Sequence, residues 1–223
     1  MMDITKWAED LTEEVYNEWK TKYSFWEDGF KVFYSPVRYR PELMIISLNP
    51  GGDKKSFRYA NTTFKKGDFS LPDENEYIIS DYKFAKEIKI LFKEHENFLK
   101  TSVVLTTLFF RSSSFGYWEK NNPKKTRLAM EKFSYDKIKQ ILDKVKPKKL
   151  LVVGSATYGL LRKNVIKIEN ENKIENWGTV GHITTAKYDQ IDIFVTPHLS
   201  SAHISKENKK KMKKLFADFL TLT

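Results

Sequence analysis

The sequence predicts an α/β protein, a three-layer α/β/α arrangement around a mainly parallel central sheet of about four strands. Three observations carry this expectation. Short apolar runs recur at residues 43–48, 102–110, 149–153 and 191–195, each closed by turn residues, as strands buried on both faces read. Segments with apolar residues at helical spacing stand between them. The alternation of the two is the pattern of a parallel sheet with helices on both sides. A chain of 223 residues suits one domain, taken here as residues 1–223 with residues 1–33 as a helical extension packed on it.

Residues 4–23 place Trp7, Leu11, Val15 and Trp19 on one helical face, with Glu13, Glu14 and Glu18 opposite. Residues 25–39 are aromatic and irregular, limited by Pro36 and Pro41. The first strand, 43–48, runs into Asn49-Pro50-Gly51-Gly52. Residues 53–72 read as a long polar loop, and loops of that length usually carry function. A single helix is expected over 76–98, with Phe84, Ala85, Ile88, Leu91 and Phe92 inward. The second strand, 102–110, ends in the polar loop Arg111-Ser112-Ser113-Ser114. Pro123 opens a helical region, and Ser134 is placed as the N-cap of a second helix ending before Pro147. The third strand, 149–153, turns at Gly154-Ser155 into a short helix. Residues 180–187 and 191–195 suit a hairpin around Tyr188-Asp189-Gln190, and the polar stretch 167–177 reads as an insertion. The last loop is Pro197-His198-Leu199-Ser200-Ser201, followed by a helix with Met212, Leu215, Phe216, Phe219 and Leu220 inward and lysines mostly outward.

Composition narrows the chemistry. The absence of cysteine excludes a disulfide scaffold, a thiol nucleophile, a thiolate-bound zinc and an iron–sulfur cluster. No apolar run approaches the roughly 20 residues that span a bilayer, and the amphipathic, acidic N-terminus does not read as a signal peptide. A cytoplasmic location without membrane attachment is expected. The formal charge of +10 attracts polyanions, nucleic acid above all; evenly spread lysines serving solubility alone are an equal reading.

Open parallel sheets bind ligands beyond the carboxyl ends of their strands. Four loops qualify: residues 49–52, 109–114, 154–155 and 197–201. Their Gly-rich and Ser-rich turns expose backbone N–H groups suited to anions, and two of them carry the distinctive side chains Asn49 and His198. No third residue accompanies His198 and His203 as a metal ligand set, so neither a metal nor another cofactor is expected.

Leu48-Asn49-Pro50-Gly51 after a buried strand resembles the first motif of the mismatch-specific uracil/thymine branch of the uracil-DNA glycosylase superfamily, and His198-Leu199-Ser200-Ser201-Ala202 resembles its second motif. The strand through Thr106-Thr107 and the turn Gly154-Ser155 fall in the expected order, so the resemblance runs from about residue 34 to the C-terminus. It implies hydrolysis of the N-glycosidic bond of a nucleotide flipped out of DNA, without a cofactor, by a protein acting as a monomer on duplex or single-stranded DNA.

By that resemblance Asn49 and His198 are catalytic, Asn49 positioning the water and His198 donating to the departing base. Leu48, Pro50, Gly51, Phe64, Thr107 and Ser200 are assigned to the substrate, with Phe64 stacking on the base. Ser155, Ser201, Lys206, Lys209, Lys210 and Lys213 are assigned to DNA. Thr107 stands where the family reads uracil with asparagine; a hydroxyl presents less than an amide. Gly51 stands where strict uracil enzymes carry a tyrosine, leaving room for thymine or a larger base.

Each assignment has a plainer counterpart. Asn49 also reads as a turn residue before Pro50, His198 as a surface histidine, Phe64 as a loop anchor, Thr107 as an ordinary strand residue and the lysines as a solvated helix face. Two other functions stay open: a non-catalytic nucleic-acid-binding protein of the same fold, and an α/β protein acting on a nucleotide or small phosphorylated ligand.

Overall fold

The computed structural model describes residues 3–200 and 203–221. It is an α/β structure built on a six-stranded mixed sheet. In chain order the strands are β1 (Leu43–Ser47), β2 (Val103–Thr106), β3 (Lys149–Val153), β4 (Glu169–Asn176), β5 (His182–Tyr188) and β6 (Ile191–Thr196). Their spatial order is β2-β1-β3-β6-β5-β4. The first four of these run parallel, and β5 and β4 continue the sheet antiparallel. The helices are α1 (Ile4–Glu18), α2 (Lys54–Phe64), α3 (Glu76–Ile79), α4 (Lys83–Leu91), α5 (Glu96–Thr101), α6 (Phe115–Asn121), α7 (Lys124–Val145), α8 (Ser155–Asn164) and α9 (Lys206–Thr221).

Strand periodicity sorts the core. Met44 and Ile46 of β1 join one apolar cluster and Leu43 and Ile45 the other, because successive side chains leave opposite faces. The first cluster takes Leu11 and Val15 from α1, Ile138 and Ile141 from α7 and Leu161 from α8. The second takes Ile88 and Leu91 from α4 and Met212, Phe216 and Phe219 from α9. Helices therefore supply apolar residues to both faces, which is why the parallel strands carry uninterrupted apolar runs.

Several expectations need correction. The sheet has six strands rather than about four, because the hairpin partner expected over 180–187 joins it as β5 and the polar stretch read as an insertion is β4. Its residues are mostly exposed, so no alternation betrays it, and its charges suit an edge that must resist further pairing. The long loop after Gly52 contains α2, opened by a capping box in which the Asp53 carboxylate accepts from the Ser56 backbone N–H at 2.9 Å. Within it only Phe57 is fully buried, and that sparse apolar face hid the helix. Ser134 caps nothing; it lies inside the single helix α7, and its hydroxyl donates to Met130 O. The helix expected over 76–98 is divided among α3, α4 and α5.

β2 is shorter than its apolar run. Beyond Thr106 the chain bends, and the irregular segment before β1 lies along it through bridges Phe33–Leu105 and Phe30–Phe110. Tyr34 N–H donates to Val104 O, and Ser35 Oγ accepts from Val104 N–H. At the opposite end of the sheet, buried Lys149 donates from Nζ to Phe219 O and Leu220 O, both at 2.8 Å, satisfying carbonyls that the last turn of α9 leaves open.

Candidate functional site

A cavity of about 800 Å³ opens at the carboxyl ends of β1, β2 and β6, which parallel pairing brings to one edge. Three of the four loops singled out above contribute to its wall: Leu48, Asn49, Gly51 and Gly52 from the first, Arg111 to Ser114 from the second, and His198 and Ser200 from the last. The first two loops are stitched together. Thr107 N–H donates to Ser47 O, Leu108 N–H to Leu48 O and Ser112 N–H to Pro50 O, at 2.7 to 2.9 Å.

Asn49 Nδ2 donates to Pro50 O at 3.1 Å and to Ser112 O at 2.9 Å. Two carbonyls only accept, so the amide orientation is chemically fixed. Oδ1 is thereby the acceptor that Asn49 offers to the cavity. His198 lies across this edge, its ring centroid 5.6 Å from that of Phe84 and its Nδ1 3.4 Å from Ser200 Oγ. Burial lowers its pKa below the ordinary histidine value, because the charged form loses hydration. The imidazole is therefore neutral at neutral pH and retains one N–H donor. Gly154 backs it: a Cβ there, at φ +100°, would stand 3.6 Å from His198 Cδ2.

Sequence reasoning missed much of the remaining wall. Tyr34, Tyr77, Tyr82 and Phe84 make it aromatic, and Lys31, Glu76 and Arg111 make it charged. Burial raises the pKa of Tyr34, Tyr77 and Tyr82, keeping the phenols protonated as donors. The Lys31 amine pairs with the Glu76 carboxylate; burial, with the neighbouring Arg111 charge added, lowers the Lys31 pKa. The visible signal was the aromatic spacing of Tyr77, Tyr82 and Phe84; a continuous-helix reading put Phe84 on the packed face and gave Tyr77 and Tyr82 no role.

Other assignments move away from the cavity. Thr107 is fully buried, and its Oγ1 has no hydrogen-bond partner among the described residues; the bend after β2 turns it into the core, where it cannot read a base. Phe64 belongs to an aromatic stack, 5.5 Å from Phe30 and 5.4 Å from Phe69, because α2 directs it toward α1 instead of the strand ends. Pro50 is buried under its loop and contributes its carbonyl. Ser155 begins α8 outside the cavity wall. Ser201 lies outside the described residues.

The α9 lysines do not line the cavity. Lys206 and Lys210 are exposed and Lys213 half-buried, while Lys209 pairs with Glu87 at 2.8 Å. Among the described residues no cluster of three or more His, Asp or Glu is placed to hold a metal ion. Among them, too, no helix is long and apolar enough to cross a membrane.

Comparison of the sequence with protein-family models gives no match, and comparison with curated proteins gives none.

Proposed function

We propose that this chain is a DNA base-excision glycosylase of the uracil-DNA glycosylase type, hydrolysing the N-glycosidic bond of uracil or a related mispaired or damaged base. The observation that supports the reading most is the meeting of Asn49 and His198, distant in sequence, on one nucleotide-sized cavity at the strand ends. In this proposal the four parallel strands are the core of a three-layer fold and the β4–β5 pairing is an addition to it. The protein works as a cytoplasmic monomer on DNA, without metal or cofactor.

The chemistry follows from the two side chains. As the bond from the sugar anomeric carbon to the base nitrogen breaks, its electron pair leaves with the base and the sugar becomes oxocarbenium-like. Asn49 Oδ1 accepts a hydrogen bond from the attacking water and orients it; the water oxygen bonds to the anomeric carbon and its proton passes to solvent, since a cationic sugar demands little base strength, while the released base anion takes up a proton from solvent. The neutral His198 ring donates to the base oxygen on which negative charge collects, a preorganised contact worth roughly 3 kcal/mol in such sites. Phe84 and Tyr82 take the stacking role first given to Phe64. With Thr107 buried, Ser47 and Tyr77 are the deep hydroxyls available to the base edge, their oxygens 3.5 Å apart. Hydroxyls discriminate less than an amide, and a Cβ at Gly51 would meet nothing within 4 Å. Activity is accordingly expected on several bases, mispaired or damaged ones first, since these cost least to unstack.

One observation favours a second reading, a free nucleotide or small phosphorylated ligand: the α9 lysines do not border the cavity. Assays of base release from duplexes carrying uracil, thymine, hypoxanthine or oxidised pyrimidines, beside the matching free nucleotides, separate the two. Release from DNA supports the glycosylase. Release from free nucleotides alone supports the second reading, and strong activity confined to uracil contradicts the roles given to Gly51, Ser47 and Tyr77.

A further inference from the structure

Arg111 is held more firmly than a surface arginine needs to be. Its backbone N–H donates to Gly29 O and its carbonyl accepts from Trp26 Nε1, at 2.9 and 2.8 Å. Its Nη1 donates to Gly51 O at 2.8 Å. The turn is shaped around the guanidinium: Gly52 has φ +100°, and a Cβ there would stand 3.0 Å from Arg111 Nη1. So placed, the side chain lines the cavity beside Gly51 and Gly52.

Two features exceed a purely structural role. Nε is buried and has no hydrogen-bond partner among the described residues, although a buried donor is costly to leave unsatisfied. No carboxylate among the described residues pairs with Arg111, whereas Lys31, the other long cation on this wall, is paired with Glu76. The wall therefore carries one fixed, uncompensated positive charge, and a guanidinium presents a planar fork matched to the oxygens of an oxyanion. The hydroxyl-bearing Ser113 and Ser114 stand next to it on the same wall.

We propose that Arg111 forms a phosphate subsite, taking the phosphate attached to the nucleoside whose base occupies the cavity. This rests on the glycosylase reading for the base and sugar and assigns the anionic part of the same ligand. The phosphate belongs either to a DNA strand or to a free mononucleotide. In both cases the group is a phosphoryl oxyanion on the sugar, bound by Arg111 and not by the α9 lysines.

The test is equilibrium binding by calorimetry with three probes: 2′-deoxy-2′-fluorouridine, its 5′-monophosphate, and a pentanucleotide carrying that nucleoside at its centre. The fluorine disfavours the cationic sugar and keeps the probes intact. The wild type should bind the monophosphate at least about tenfold more tightly than the nucleoside. Arg111→Gln should bring that ratio close to one, the ratio cancelling any loss common to both probes from the freed Gly51 carbonyl, and Arg111→Lys, which keeps the charge and loses the fork, should retain part of it. A pentanucleotide that shows the same Arg111 dependence identifies a DNA phosphate as the ligand; dependence confined to the monophosphate identifies a mononucleotide. Equal wild-type affinity for nucleoside and monophosphate overturns the subsite without recourse to any variant, as does failure of all three probes to bind, or an unchanged ratio in folded Arg111→Gln. Base release is measured separately: its absence with Arg111-dependent binding intact defeats the glycosylase reading and leaves the subsite standing.

Discussion

At Asn49 the hydrogen-bond pattern constrains mutation more tightly than the turn does. Aspartate suits such a turn as well as asparagine, but a carboxylate cannot donate to Pro50 O and Ser112 O. Asn49→Asp is therefore expected to destabilise the protein by about 1–3 kcal/mol, read as a lower urea midpoint with an unchanged slope; unchanged stability would show that these two bonds do not hold the loop. His198 sets a pH dependence. Its folded-state pKa is lowered by burial, so the unfolded chain binds more protons in the window below about 6.5. The histidine's stabilising contribution is complete above that window and declines as pH falls through it. Base release, which needs the neutral ring, should show an acid limb with its midpoint below 6.5 in single-turnover profiles, and a midpoint at or above 6.5 would contradict the assignment. His182 on β5 is lowered by burial too, so the stability profile is compared with that of His198→Asn. That Asn49 and His198 line the cavity was legible because each follows an apolar run at the carboxyl end of a parallel strand. Thr107 and Phe64 were misplaced because their orientations depend on a bend and a helix that local pattern does not encode.

At the level of elements, the parallel strands were legible from their apolar runs, while α2 and β4 were not: the short period of Phe57, Ala60 and Phe64 was lost in a stretch read as a polar loop, and β4 is mostly exposed. α2 and the cavity meet at Gly52. Gly52→Ala forces a side chain into a left-handed conformation and against Arg111, and should cost about 1–3 kcal/mol. Thermal unfolding would show a reduced Tm, together with weaker binding of the monophosphate probe; wild-type values for both would mean that the turn tolerates a Cβ. The opposite end of the sheet offers a control remote from the cavity. Lys149→Met removes the two bonds to the last turn of α9 and should lower stability by about 1–2 kcal/mol with base release unaffected in the folded protein. A loss of activity there would indicate coupling between the two ends of the sheet.

For the whole molecule, under the proposed function, the formal charge of +10 would bear on how DNA is met, and the cavity on what is done to it. Lys209 holds α9 to α4 through Glu87, so of the four α9 lysines assigned to DNA Lys206, Lys210 and Lys213 are the ones to test. Neutralising these three to glutamine should flatten the dependence of DNA affinity on salt concentration, because fewer counterions are released; an identical slope would place the DNA elsewhere on the surface. In the proposed mechanism Asn49 and His198 act on opposite ends of one bond. Single-turnover base release from a uracil-containing mismatched duplex, with enzyme saturating, tests it most directly. The wild type should release the base, and Asn49→Ala and His198→Ala should each slow that step, the latter by roughly 100-fold or more, with DNA affinity little changed. Wild-type release matched by both variants would contradict the assignment and leave the two residues as parts of a turn and a wall.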